Sequence, residues 1–266
     1  MMKIIKKTIL TRAKIVLALV LVLPLCPVDS GLLWLVNPDN RLESTYKPDN
    51  LASINSYRLR PEAKKAYEKM LVDMKKADIR NLILQSAYRP YNYQQVLFSE
   101  KLKALYSLGY TETESQKLAA QAVAPAGASE HQLGLAIDIS IDGQLNARFG
   151  DTKAGIWIEN NCHLYGFILR YPKEKIGITK IMYEPWHLRY VGIPHSTIMY
   201  ENRLCLEEYI AYLQKVKMVM CWIDDNAYYK ISYLSHLTEN IDALDISSLG
   251  PRLDGFIITQ HRAYLK

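Results

Sequence analysis

Ser129-Glu130-His131-Gln132-Leu133-Gly134-Leu135-Ala136-Ile137-Asp138 is the stretch on which the fold and the chemistry turn. It follows a small-residue loop, Pro125-Ala126-Gly127-Ala128, and runs into residues 135–141 (LAIDISI), whose alternation predicts a strand. His131 therefore lies in the loop entering a strand and Asp138 within it. A loop folded back over its own strand brings both side chains to one ion. A second segment, Glu184-Pro185-Trp186-His187, offers a third ligand in His187 on a neighbouring strand. A hydrolytic metal site needs three protein ligands, a fourth position for water and a carboxylate to take that water's proton. Glu184 stands three residues before His187. Odd separations in a strand point to opposite faces, so Pro185 is expected to distort the backbone and put both on one cavity. Each residue alone has a plainer reading. A lone strand Asp is usually a turn or salt-bridge residue, and a lone sheet His is usually hydrogen-bonded and half-buried. The spacing His-x6-Asp also differs from helix-borne His-Glu-x-x-His.

Outward from these segments, the pattern is one of helices around short strands. Pro61 opens a helix at the position where its missing N–H costs nothing. Ala66, Tyr67, Met70, Leu71, Met74 and Ala77 then fall on one face. Residues 82–84 (LIL) read as a buried strand. Residues 91–106 read as a helix with Val96, Leu97, Leu102 and Leu105 inward. Thr111-x-x-Glu114 is a capping box before a third helix, which Pro125 stops. Residues 152–163 form another helix, with Gly166 beyond its end. Residues 167–169 and 183–191 are strands, and residues 206–219 a closing helix. Residues 32–38 (LLWLVNP) read as an entry segment or edge strand. From Tyr228 onward short β-like pieces appear, read as an add-on. The fold class is α+β, helices around a small, mostly antiparallel sheet that carries the metal site.

The composition suits such a domain. Of 266 residues 49% are hydrophobic and 23% charged, a globular balance that needs no staples. The formal charge of +6 is partly N-terminal. Lys3, Lys6, Lys7, Arg12 and Lys14 precede an apolar run over residues 15–25, the order of a secretory signal. An uncleaved signal that serves as a membrane anchor is the alternative. Either exports the remainder to the cell envelope. Without that segment Cys162, Cys205 and Cys221 remain, room for one disulfide at most. No basic stripe interleaved with aromatics appears, so nucleic acid is not an expected partner.

Three motifs together resemble the VanY-type D-alanyl-D-alanine carboxypeptidases, relatives of VanX-type dipeptidases and L,D-carboxypeptidases. Ser-x-His-x-x-Gly-x-Ala-x-Asp is complete from Ser129 to Asp138. Glu-x-x-His is present at Glu184 and His187, followed by Leu188-Arg189-Tyr190-Val191-Gly192. Ser86-Ala87-Tyr88-Arg89-Pro90 is similar to the family's Ser-Gly-Tyr-Arg-Ser turn, with Ala and Pro replacing Gly and Ser. The resemblance covers roughly residues 34–214. It implies one Zn2+ per chain held by His131, Asp138 and His187, with Glu184 as general base. It implies that Arg89 stabilises the oxyanion, and that Gln94, Ser129 and Trp186 contact substrate. The implied substrates are peptidoglycan stem peptides ending in D-alanine. D,D-carboxypeptidase, L,D-carboxypeptidase and a non-catalytic wall-binding protein on the same fold remain open. The expected division is 1–30 signal or anchor, 31–220 carboxypeptidase domain, and 221–266 an extension of unknown role.

Overall fold

The computed structural model describes residues 29–222, 227–237 and 245–263. The expected signal or anchor falls almost wholly outside the described residues. No helix among the described residues is long and apolar enough to cross a membrane.

The first regular elements are a small hairpin, β1 (Ala52–Ile54) and β2 (Tyr57–Leu59), which passes into α1 (Pro61–Lys76) with Pro at its first position. Ala63, Tyr67, Met70 and Met74 form its buried stripe, spaced four, three and four apart, which is one face of a 3.6-residue helix. Then follow β3 (Ile83–Ser86), α2 (Tyr91–Ser107) and α3 (Glu112–Ala122). At the start of α3 the Thr111 side chain accepts from the Glu114 N–H. The Glu114 carboxylate accepts from the Thr111 N–H at 2.9 Å, so the capping box forms as read. In α2 the inward face is narrower than expected. Gln94 and Leu105 are buried, whereas Val96 is 51% exposed.

β4 (Ala136–Ser140) is buried at every position, because residues pack on both of its faces. Next come α4 (Lys153–Asn161), β5 (Phe167–Leu169), the single turn α5 (Ile176–Thr179) and β6 (His187–Tyr190). These strands make one antiparallel sheet in the order β3-β4-β6-β5. The expected strand over 183–191 is thus shorter. Glu184 to His187 is instead a turn, closed by the His187 N–H donating to the Glu184 carbonyl at 3.1 Å. Proline suits the second position of such a turn.

α6 (His195–Glu201) and α7 (Leu206–Val216) follow, and then a second antiparallel sheet. Its strands are β7 (Met218–Trp222), β8 (Ala227–Leu234), β9 (Asp245–Ser248) and β10 (Phe256–Ala263), in the order β7-β8-β10-β9. The helix expected to reach 219 stops at Val216, where Lys217 takes a left-handed φ of 65°. The expected boundary after residue 220 falls inside β7. Ile231, Leu249 and Ile257 of this sheet region share one apolar cluster with Ile168, Val191, Ile198, Leu206, Tyr209 and Leu213. Residues 32–38 form no strand. They lie along β9, with the Leu33 N–H on Ser247 Oγ at 2.9 Å and the Leu35 N–H on the Leu249 carbonyl at 3.0 Å. Cys162, Cys205 and Cys221 are all free thiols.

Candidate metal centre and active site

The first sheet positions the site by register. β4 and β6 pair so that Asp138 stands directly opposite His187, and Ser86 of β3 lies opposite Asp138 on the other side. Cross-strand neighbours in such a ladder point to the same face. His131 arrives from a 3₁₀ turn at Glu130–Leu133 that ends on Gly134 with φ 69°. A Cβ there would come 2.8 Å from Leu51 Cδ2, so both the backbone conformation and the space call for glycine. The loop folds back over its own strand. Ligand atoms of His131, Asp138 and His187, all buried, lie within 4.8 Å of one another.

Hydrogen bonding orients the first histidine. His131 Nδ1 is 2.6 Å from the Ala87 carbonyl, which can only accept, so Nδ1 carries the proton. Nε2 is left buried without a hydrogen-bond partner and 3.1 Å from Asp138 Oδ2. Burial first and Arg89 second push the His131 pKa down to about 4, so it is neutral at pH 7 with its Nε2 lone pair free. A neutral imidazole with one nitrogen fixed by a carbonyl suits a metal ligand. Burial works to raise Asp138, but the two histidines outweigh it and hold the carboxyl well below its usual range. His187 Nδ1 is 2.9 Å from Asp138 Oδ1 and 3.8 Å from Glu184 Oε2. Burial opposes its charge, but Asp138, Glu130 and Glu184 raise its pKa to about 9. Such crowding of anionic oxygens around two imidazoles calls for a cation. The donor set of two nitrogens and one carboxylate, with a cavity beside it, fits zinc in a hydrolytic site.

That cavity, about 310 Å³, is lined by Glu184, Arg89, Gln94, Ser129 and Trp186 as well as His131, Asp138 and His187. All eight residues singled out in the sequence therefore meet in one place. Burial first, then Asp138, lifts Glu184 to about 8. Arg89 reaches Asp138 Oδ2 at 3.8 Å, and its backbone N–H donates to the His131 carbonyl at 3.1 Å. Gln94 donates through Nε2 to the Ala124 carbonyl at 2.7 Å, while its Oε1 is buried and free of partners. Ser129 sits at the N-cap of the 3₁₀ turn without a side-chain capping bond. Trp186 lines the cavity and also packs on the core cluster of α1 and the first sheet.

Sequence reading missed what lies behind the candidate ligands. Glu130 is fully buried, with Arg170 Nε donating to its Oε1 at 2.8 Å and Arg189 forming an ion pair with the same oxygen at 2.8 Å. Arg170 grips Glu207 of α7 with two further bonds, 2.7 and 2.9 Å. Burial would raise Glu130, but Arg170 and Arg189 outweigh it and keep its carboxyl far below the usual range. Arg189 also donates to the Leu32 and Trp34 carbonyls, tying the N-terminal segment down. Tyr171 and Lys101 line the cavity too. The signal was present only in part: Glu130 and Arg189 lay inside quoted motifs, but nothing local linked them.

The D-alanyl-D-alanine carboxypeptidase family VanY matches residues 56–193. A D-alanyl-D-alanine carboxypeptidase of Enterococcus faecium is 36% identical over 79% of this chain, which spans 63% of that relative. Among solved structures, the L,D-carboxypeptidase LdcB is 39% identical with a TM-score of 0.60, covering 68% of this chain and 86% of its own. The zinc-bound vancomycin-resistance D,D-pentapeptidase VanY of the VanB-type cassette is 36% identical with a TM-score of 0.61, covering 67% and 98%. With the motifs assembled in one cavity and the family match spanning all three of them, this chain belongs to the VanY family of D-alanyl-D-alanine carboxypeptidases.

Proposed function

We propose that this protein is a zinc carboxypeptidase that removes the terminal D-alanine from peptidoglycan stem peptides outside the cytoplasm. The observation that carries it is the convergence of His131, Asp138 and His187 in the same cavity as Glu184 and Arg89. When bound, zinc supplies Lewis acidity that polarises the scissile carbonyl and acidifies water. Glu184, set 3.8 Å from His187 Nδ1 by the turn through Pro185, takes the proton of the attacking water. It then passes that proton to the leaving amine. Arg89, a fixed cation beside Asp138, faces the charge that develops on the carbonyl oxygen. Gln94 offers its free Oε1, and Ser129 its hydroxyl, to the substrate's terminal unit, and Trp186 walls it in.

A second reading, L,D-carboxypeptidase on tetrapeptide stems, is supported by the likeness to LdcB, which matches that to the D,D-pentapeptidase. One digest separates them. Zinc-loaded protein is incubated with muropeptides bearing pentapeptide or tetrapeptide stems, and products are weighed. Loss of one alanine from the pentapeptide marks D,D activity, and loss from the tetrapeptide marks L,D activity. Glu184→Ala is expected to lower either turnover by about 10²–10⁴-fold while zinc stays bound. Intact substrates with zinc-loaded wild type would instead favour a wall-binding protein on this fold.

A further inference from the structure

Two buried polar atoms of this molecule face each other without being joined. Glu130 Oε2 and His187 Nε2 each lack a hydrogen-bond partner, and they are 3.8 Å apart. Leaving both unpaired costs the desolvation of each, and a shift of under an ångström pairs them. The opposite side of the His187 ring faces the rest of the cluster. Nδ1 faces Asp138 Oδ1 at 2.9 Å and Glu184 Oε2 at 3.8 Å, so the side of the ring toward the other ligands is the Nδ1 side.

Resting on the zinc reading above, we infer that Glu130 is the positioning carboxylate of the metal centre, taking the Nε2–H of His187 so that this histidine presents Nδ1 to the metal. His131 has the reverse arrangement. Its Nδ1–H is spent on the Ala87 carbonyl at 2.6 Å, so it presents Nε2. The two histidine ligands are therefore opposite tautomers. Glu130 suits the task because it cannot swing away. Its side chain is wholly inaccessible, and its other oxygen is held by Arg170 and Arg189 at 2.8 Å each. Arg170 is itself anchored on Glu207 of α7. The carboxylate thus stands on a rigid charged frame, and a metal ligand hydrogen-bonded to such a group keeps both its tautomer and its ring orientation.

The test uses the full-length protein labelled with ¹⁵N-histidine. Spectra of the zinc-loaded protein, assigned with single His→Asn variants, are expected to show Nδ1 of His187 and Nε2 of His131 bound to zinc. The remaining nitrogen of each should be protonated. Zinc affinity, measured by competition with a chromophoric chelator, is expected to fall about 10- to 100-fold in Glu130→Gln. Coordination of His187 through Nε2 would overturn the inference, whatever the variant does. So would an affinity of a folded Glu130→Gln within twofold of wild type. Should Glu130→Gln not fold, the tautomer measurement on wild type still decides. Failure of the wild type to bind zinc would instead remove the zinc reading, and this inference with it.

Discussion

The two four-stranded sheets are built to opposite plans. In β3-β4-β6-β5 the interior holds charge: Asp138, His187 and Arg189 on its strands, with Glu130 and Arg170 packed against them, all buried. In β7-β8-β10-β9 the interior is dry, with Ile231 and Ile257 fully buried against α6 and α7. Its edge strand β7 exposes Met218, Met220 and Trp222, between 46% and 50% accessible. The first sheet gives up hydrophobic stabilisation to hold reactive groups without solvent. The second, which supplies none of the cavity lining, contributes apolar burial on the far side of α7. Charge in the one is tolerable because every buried cation has an anion, two arginines against Glu130 and Glu207.

Removing one member of that frame sharpens the contrast most. Arg170→Met leaves Glu130 with a single cation and Glu207 with none, and single deletions from buried ion pairs cost about 3–5 kcal/mol. Urea unfolding of the metal-free protein should show it as a lower midpoint with an unchanged slope. A midpoint equal to wild type would mean that the frame contributes no net stability. On the dry sheet, Ile257→Ala should cost about 2–4 kcal/mol through lost burial and the cavity left behind, with no change in zinc affinity. A drop in zinc affinity there would show that the two sheets are not separable in function.

The same contrast explains what could be read from the residues beforehand. Signals that act within one or two turns were legible: Pro61 at the start of α1, the Thr111–Glu114 box, and the apolar stripe of Tyr67, Met70 and Met74. The cluster of His131, Asp138 and His187, with Glu184 and Arg89 in the same cavity, was legible because its motifs are short and are shared with a family. Long-range pairing was not. Residues 32–38 are apolar enough for a strand, yet the Leu33 and Leu35 N–H groups go to Ser247 and Leu249, more than two hundred positions away. Val96 had helical spacing, but none of the described residues covers that side of α2, where Val96 is exposed. The frame behind the ligands spans Glu130, Arg170, Arg189 and Glu207, four charged residues on separate elements. Charged residues scattered in sequence read as surface until the fold brings them together.

The smallest effect concerns the joint between the sheets. His195, at the start of α6, is buried. Its Nδ1 lies 2.8 Å from the Tyr209 hydroxyl of α7 and its Nε2 lies 3.0 Å from Thr259 Oγ1 of β10. Among the described residues no carboxylate offsets a proton there, and burial lowers its pKa to about 3. The unfolded chain takes up a proton near pH 6.5, whereas the folded one resists until about 3. Protons therefore favour the unfolded state in that window. The stability is complete above 6.5 and declines as pH falls toward 3, by about 2 kcal/mol at pH 5 for this one residue. Unfolding of wild type and His195→Gln at pH 7 and pH 5 isolates it, because the metal-site groups titrate alike in both. Wild type should lose about 2 kcal/mol more than the variant between the two pH values. Equal losses would mean that the joint opens to water before the protein unfolds. The C-terminal sheet would then separate from α6 and α7 as a unit of its own, rather than cooperate with the sheet that carries the metal site.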